Sequence, residues 1–228
     1  MNLRKKYAVI VAGGRGVRMG AAMPKQFLEI DAKPMLYYSV KAFLDAFEDM
    51  RIVLVLPDDM LHYGEAIRSY FAGDREIILC SGGETRFESV KKGIACVEGS
   101  AVIFVHDGAR PLVNIELIER CYKTALDKGS AIPVIPESDS IRILEGQQHR
   151  PINRNLLRKV QTPQTFLSEL ILPAMEQPYS EAFTDEATVL EAMGTEVHLC
   201  EGDPKNLKVT TAVDLVIAEA LLKQSSTY

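Results

Sequence analysis

The chain has no tryptophan, and only four cysteines and four histidines among its 228 residues. None of Cys80, Cys96, Cys121 and Cys200 forms a C-x-x-C pair, and the histidines are scattered. That spacing excludes the usual zinc sites and predicts buried, reduced thiols. No apolar run approaches the ~18 residues that a membrane span needs. The start, Met1-Asn2-Leu3-Arg4-Lys5-Lys6, has the charge of a signal peptide, but the apolar run at 7–12 is too short for one and ends in glycines. A cytoplasmic protein is expected. An excess of positive charge is missing too: 26 Lys and Arg stand against 31 Asp and Glu, a net charge of −5. No global field draws in nucleic acid, so no such partner is expected and any anion site has to be local. Two familiar phosphate loops are absent. There is no Gly-Lys-Ser or Gly-Lys-Thr, and Gly14-Arg15-Gly16-Val17-Arg18 begins a dinucleotide fingerprint that fails at Met19, where its third glycine belongs. With no repeat, low-complexity tract or linker, residues 1–228 read as a single domain.

What is present is concentrated first in Ala12-Gly13-Gly14-Arg15-Gly16-Val17-Arg18-Met19, running on to Pro24-Lys25-Gln26. It follows an apolar strand at 7–11. Closely spaced glycines let a backbone turn sharply and approach a ligand, and successive N–H groups in such a turn form a concave anion site. Arg18 is a flat fork of fixed charge and Lys25 a mobile point charge, and both suit phosphate. An ordinary turn on a Rossmann-like sheet stays open beside this reading.

From there the apolar periodicity alternates. It predicts a helix over 33–47 with Pro34 in its first turn, a strand over 51–56, and a helix over 60–71 capped by Pro57-Asp58-Asp59. A strand at 76–80, a helix at 86–97, a strand at 101–105, a helix capped by Asn114 and reaching 128, and a strand at 131–135 follow. This is the pattern of an α/β, Rossmann-like fold, a mostly parallel central sheet flanked by helices. Ligands bind such sheets outside the carboxyl ends of the strands, where the polar turns after the first, third and fourth strands converge. The rhythm then breaks. Residues 138–144 alternate, Glu145-Gly146-Gln147 reads as a turn and 148–152 return. The expectation is a protruding β-arm at about 137–153, used in dimerisation, with a surface ornament as the plainer alternative. An extended segment at 160–166, helices at 168–175 and 185–193, a strand at 196–201 and a closing helix at 211–223 complete the chain.

Asp107 is expected at the exposed end of the fourth strand, facing the glycine loop. Mg²⁺ is held by one or two carboxylates plus substrate phosphate oxygens, so Asp107 is its candidate ligand. A turn-capping Asp107 paired with Arg110 on the surface stays open. No Ser or Thr has a His and a carboxylate at a recognisable spacing. Cations, one carboxylate and hydroxyls suit phosphoryl or nucleotidyl transfer, where catalysis is mostly positioning and charge neutralisation.

Six motifs in register carry a resemblance. They are Gly13-Gly14-x-Gly16-x-Arg18-Met19 with Pro24-Lys25-Gln26; Gly82-Gly83 with Arg86 and Ser89-Val90; His106-Asp107-x-Ala109-Arg110-Pro111; Gln161-Thr162-Pro163-Gln164; Thr184-Asp185-Glu186-Ala187; and Asn206-Leu207-Lys208-Val209-Thr210. Over nearly its whole length the chain resembles the 2-C-methyl-D-erythritol 4-phosphate cytidylyltransferase family. The resemblance implies transfer of CMP from CTP to methylerythritol phosphate with release of pyrophosphate, with Mg²⁺, by a homodimer. It implies that Arg18 and Lys25 neutralise the triphosphate and the transition state, with Arg154 and Lys208 also catalytic. It implies that Ala12, Gly13, Gly14, Gly16, Gly82, Glu84, Arg86 and Ser89 surround the cytidine, whose base is read by backbone N–H and C=O groups of the two glycine turns. Asp107, Arg110, Ser140, Arg154, Thr162, Thr184 and Lys208 match the acceptor pocket, Ser140 and Arg154 reaching it from the neighbouring subunit's arm. Three positions depart from the family pattern: Val11 stands where some members have Pro, Ser140 where Thr is usual, and Asn153 where Asp is common. A pentitol-phosphate cytidylyltransferase, such as the ribitol-5-phosphate enzyme, shares the fold and most loops. The segment Arg154-Asn155-Leu156-Leu157-Arg158-Lys159-Val160 is of the methylerythritol type. A non-catalytic nucleotide-binding protein on the same scaffold is the rival of another class, and it has no need of both Arg18 and Lys25.

Overall fold

A computed structural model describes residues 4–13, 25–71, 73 and 75–225. Strand β1 (Lys5–Val11) enters the core at once, and a 3-10 turn at Lys25–Phe27 leads to the short pair β2 (Glu29–Ile30) and β3 (Lys33–Pro34). Helix α1 (Met35–Ala46), β4 (Met50–Leu56), α2 (Leu61–Ser69), β5 (Ile77–Ser81), α3 (Arg86–Ile94), β6 (Ala101–Asp107), α4 (Ile115–Lys128) and β7 (Ser130–Pro136) then alternate. The hairpin β8 (Ile141–Glu145) and β9 (Gln148–Ile152) interrupts them. Next come β10 (Arg158–Val160), β11 (Gln164–Leu167), α5 (Ser168–Ala174), α6 (Glu186–Glu191), β12 (Leu199–Glu201) and α7 (Ala212–Ser225).

β1 pairs in parallel with β4 on one side and β6 on the other, and β4 with β5. These strands carry apolar side chains on both faces because helices cover both. Ala8, Ile10, Leu54 and Phe104 meet α1, α2 and α4, whereas Val9, Val53, Val55 and Val105 meet α3, α5 and α6. The parallel run ends at β6. Its free edge is taken by β11, antiparallel, with Gln164 opposite Val105. β7 lies beyond, paired antiparallel with β11 at its start and β10 at its end, and in parallel with β12. Inserting β11 brings Thr162 next to the end of β6.

Several local expectations are corrected. β6 runs two residues further than expected because Asp107 pairs with Val11, so Asp107 is a buried strand residue, 9% exposed, and not a residue of the open edge. Pro34 belongs to β3 and precedes α1. Pro57-Asp58-Asp59 forms no side-chain cap for α2; a 3-10 turn at Asp58–Met60 intervenes. Asn114 does cap α4, accepting from Leu117 N at 2.9 Å. Of the cysteines only Cys121 is buried, and all four are free thiols. The hairpin β8–β9 pairs with no strand of the main sheet and leaves Leu144 76% exposed. Among the described residues no helix is long and apolar enough to cross a membrane.

α3 lies close to the sheet through Gly93. A Cβ there would sit 2.6 Å from Val55 Cγ2 and 2.6 Å from Val9 Cγ1, and neither branched side chain has a way to yield. Gly93→Ala should therefore lower stability by about 1–3 kcal/mol through overpacking. Urea denaturation checks this, and an unchanged midpoint contradicts the close approach.

Candidate active site

The carboxyl ends of β1, β5 and β6 open into one pocket of about 330 Å³. Ala12 and Gly13 continue β1, Gly82 to Ser89 supply the turn and first helical turns after β5, Asp107 ends β6, and Lys208 arrives from the loop after β12. Eight of the predicted site residues therefore share one cavity: Ala12, Gly13, Gly82, Glu84, Arg86, Ser89, Asp107 and Lys208.

The wall after β5 follows from a local code. Thr85 caps α3 by accepting from Glu88 N at 3.1 Å, and Glu88 returns a carboxylate oxygen to Thr85 N at 3.2 Å and Glu84 N at 2.8 Å. This capping box aims the helix N-terminus at the pocket. The Ser89 hydroxyl accepts from Gly83 N at 3.0 Å and donates to Thr85 O at 2.9 Å. Gly83 is obligatory, since a Cβ would fall 2.3 Å from Glu88 Cβ. The N–H groups of Gly82, Gly83 and Glu84 are all committed internally, Gly82 N to Leu56 O at 2.7 Å. Of these three residues it is the carbonyls, with their second lone pairs, that are left to read a base edge.

The far wall is electrostatic. Asp107 receives Lys208 Nζ at 2.7 Å and Arg86 Nη2 at 3.3 Å, with Arg110 Nε 3.9 Å away. Burial alone would raise its pKa, but Arg86, Lys208 and Arg110 together hold it far below the usual carboxylate range. Arg86 is also forked onto Glu186, at 2.5 and 2.9 Å. Arg110 anchors to Asn206 O at 2.8 Å. Its Nε is a buried donor with no acceptor among the described atoms.

Thr162 is buried behind this wall. Its hydroxyl accepts from Asp107 N at 3.0 Å and meets His106 Nδ1 at 3.1 Å, while His106 Nε2 faces Arg110 O at 3.2 Å. A carbonyl can only accept, so Nε2 carries the proton and Nδ1 accepts from Thr162. This chain of bonds orients both Asp107 and Arg110.

The remaining predicted residues lie elsewhere. Thr184 is exposed ahead of α6, and Ser140 and Arg154 are exposed at the base of the arm, where Arg154 donates to Ser138 O. None of the three lines its own chain's pocket. Gly14, Gly16 and Arg18 lie outside the described residues. Lys25 opens the 3-10 turn, and the following Gln26 is buried with its amide donating to Ala12 O at 2.7 Å. That bond ties the backbone beside Lys25 to the end of β1. Sequence reasoning gave no role to Gln26, His106 or Glu186. All three fall inside the quoted motifs, which was the only signal for them.

His106 is fully buried, and burial pushes its pKa down from 6.5 to about 4. An unfolded chain binds this proton at higher pH than the folded one. His106's share of stability is thus complete above pH 6.5 and is lost as pH falls toward 4, by ~3 kcal/mol in all. In metal-free buffer, NMR should find the His106 ring neutral and Nε2-protonated throughout pH 5–8. A midpoint near 6.5 contradicts the network.

A family model, described as 2-C-methyl-D-erythritol 4-phosphate cytidylyltransferase, matches residues 7–224. The chain is 44% identical over 215 residues to the 2-C-methyl-D-erythritol 4-phosphate cytidylyltransferase of Bacteroides fragilis, covering 94% of this chain and 98% of that protein. Among solved structures it is similar to the enzyme of that name from Thermus thermophilus, with 29% identity, a TM-score of 0.72 and coverage of 94% and 98% of the two chains. The 4-diphosphocytidyl-2C-methyl-D-erythritol synthase of Anaerococcus prevotii, 23% identical, superimposes with a TM-score of 0.82 over 96% of this chain and 99% of its own, and shows the same fold.

Proposed function

The chain belongs to the 2-C-methyl-D-erythritol 4-phosphate cytidylyltransferase family, and from that premise we propose how its residues divide the work of joining CTP to methylerythritol phosphate. In this reaction a phosphate oxygen of the acceptor attacks the α-phosphorus of CTP, a new P–O bond forms, and the bond to the β-phosphate oxygen breaks to release pyrophosphate. The observation that carries the assignment of roles is the pocket itself, which joins a glycine-turn wall to a wall of fixed charges.

The cytidine lies against the glycine turns, Ala12, Gly13 and Gly82 to Glu84, with Arg86 and Ser89 holding that wall. The carbonyls accept from the cytosine amino group. Arg18 and Lys25 neutralise the triphosphate, together with Gly14 and Gly16 of the same loop. The acceptor lies against the other wall. Its hydroxyls donate to ionised Asp107, while its phosphate is drawn to Lys208 and to the unpartnered Nε of Arg110. Thr162 acts from behind by fixing Asp107.

The residues fit Mg²⁺. Asp107 is held ionised, and Lys208, 43% exposed, is free to move off it. Mg²⁺ takes one or two carboxylates and otherwise substrate oxygens and water, so an ionised Asp107 supplies the protein's part of such a site. When bound, Mg²⁺ neutralises phosphate charge.

The dimer is proposed from the arm. Ser140 and Arg154 are exposed and do not line their own pocket, the arm presents Leu144 to solvent, and the 3-10 turn just after it presents Leu156. A second copy covers these apolar residues and receives Ser140 and Arg154 at its acceptor wall.

Pyrophosphate release from CTP with methylerythritol phosphate, compared with ribitol 5-phosphate, tests the acceptor. Preference for ribitol phosphate overturns the choice, and no release with either acceptor favours a binding protein. Lys25→Ala should cut turnover by ~10²–10³-fold, the usual loss of one transition-state charge; a variant within about threefold of wild type removes Lys25 from catalysis.

Mixed dimers test the shared site. Combining Lys25→Ala with Arg154→Ala chains should restore about a quarter to a half of wild-type activity, because one site of each heterodimer is then intact. A mixture that exchanges subunits and stays inactive places Arg154 in its own chain's site.

A further inference from the structure

Glu186 is a carboxylate beside the site to which the reaction just described gives no task, and it is only 1% exposed. Both its oxygens are taken by Arg86, Nη1 at 2.5 Å and Nη2 at 2.9 Å. The same Nη2 lies 3.3 Å from Asp107 Oδ1. Arg86 therefore faces Glu186 fork to fork and gives Asp107 a single long, shared contact.

The position of Glu186 does not depend on Arg86. Glu186 is the first residue of α6, and Gln164 pins that end of the helix. Its amide donates to the capping Asp185 at 2.9 Å and accepts from Ala187 N at 2.9 Å. Gln164 itself lies opposite Val105 on β6, two residues before Asp107. The sheet thus sets Glu186 and Asp107 on either side of one guanidinium.

We propose that Glu186 is a positioning residue that holds Arg86 off Asp107, so that Oδ1 of Asp107 can receive the acceptor's hydroxyls. A guanidinium prefers two parallel bonds to one carboxylate. A mostly buried cation that loses its partner turns to the nearest other carboxylate, which here is Asp107. Paired in that way, Arg86 would occupy both oxygens and displace Lys208. Lys208 is half-exposed and gives way to a substrate; Arg86 is held at the pocket wall and does not. Glu186 thus divides the cations, Arg86 to itself and Lys208 to Asp107.

The inference rests on Asp107 as an acceptor contact, so the test is a four-variant cycle of wild type, Glu186→Gln, Asp107→Asn and the double variant, read by acceptor KM and kcat with Tm as the folding control. Glu186→Gln should raise acceptor KM about tenfold or more, the loss of hydrogen bonds to a charged group. In the Asp107→Asn background the same change should move KM less than about twofold, because Arg86 then has no second carboxylate to turn to. A merely structural Glu186 would lower Tm and activity alike in both backgrounds, and that result overturns the inference. If Asp107→Asn alone leaves acceptor KM unchanged, the reading of Asp107 falls and the inference with it; an Asp107→Asn defect with an additive Glu186→Gln defect overturns the inference only. Should Glu186→Gln not fold, Glu186→Asp, which keeps the charge but falls one methylene short of the fork, enters the same cycle with the same criteria.

Discussion

Asp107 is ionised in a place where water scarcely reaches it, and the site depends on the three cations that make this possible. Removing one partner of a buried ion pair costs ~3–5 kcal/mol, because the charge left behind is uncompensated. Each cation around Asp107 is held by a separate part of the chain: Arg86 by the cap of α3 and by Glu186, Lys208 by the loop after β12, and Arg110 by Asn206 O. This charged wall is therefore assembled by the tertiary fold. It exists only when β6, α3, α6 and the loop before α7 have all docked.

The sheet makes that docking accurate. β1 and β6 are buried on both faces and locked in register from Lys5–Ala101 to Val11–Asp107. An apolar strand leads straight to the charged residue with no flexible segment between them. Thr162 adds a bond from the side, supplied by the antiparallel insertion of β11. His106 completes it by being neutral; a protonated ring would lose its acceptor nitrogen and place a charge beside the cations it helps to arrange.

How much of this was legible in the sequence depends on range. The Asn114 cap and the alternation of strands and helices are encoded within a few residues and were read from them, whereas the capping box Thr85–Glu88, just as local, was passed over as part of a glycine turn. The true length of β6 was not legible, because His106 and Asp107 look like a polar turn and are strand only through pairing with β1 and bonding to a threonine 55 positions away. The antiparallel place of β11 is a non-local pairing of the same kind. Glu186 was quoted within a motif and given no role, since its partner Arg86 is 100 residues distant. Of the eight predicted residues that share one pocket, Ala12, Gly13, Gly82, Glu84 and Asp107 stand at or just past strand ends, Arg86 and Ser89 follow in the first turns of α3, and Lys208 is brought in by the loop before α7. Ser140 and Arg154, assigned by resemblance, do not line it, and no reading of a single chain could bring them there.

The charge balance shows how little of the substrates' negative charge the fixed wall answers. Arg86, Lys208 and Arg110 face Asp107 and Glu186, a surplus of one positive charge. A nucleoside triphosphate and a second phosphate bring several negative charges into the same space. Because Arg86 is committed to Glu186, it cannot follow the substrates. On the proposed reading, the remaining positive charge is supplied by Arg18, Lys25, Mg²⁺ and the Arg154 of a second copy. On this account the fixed ion cluster sets where the acceptor sits, and the added cations set when the α-phosphate can be attacked. Such a division suits a transfer reaction, since charge aimed at the reacting phosphorus accelerates the reaction only if it is felt more strongly in the transition state than in the bound substrates.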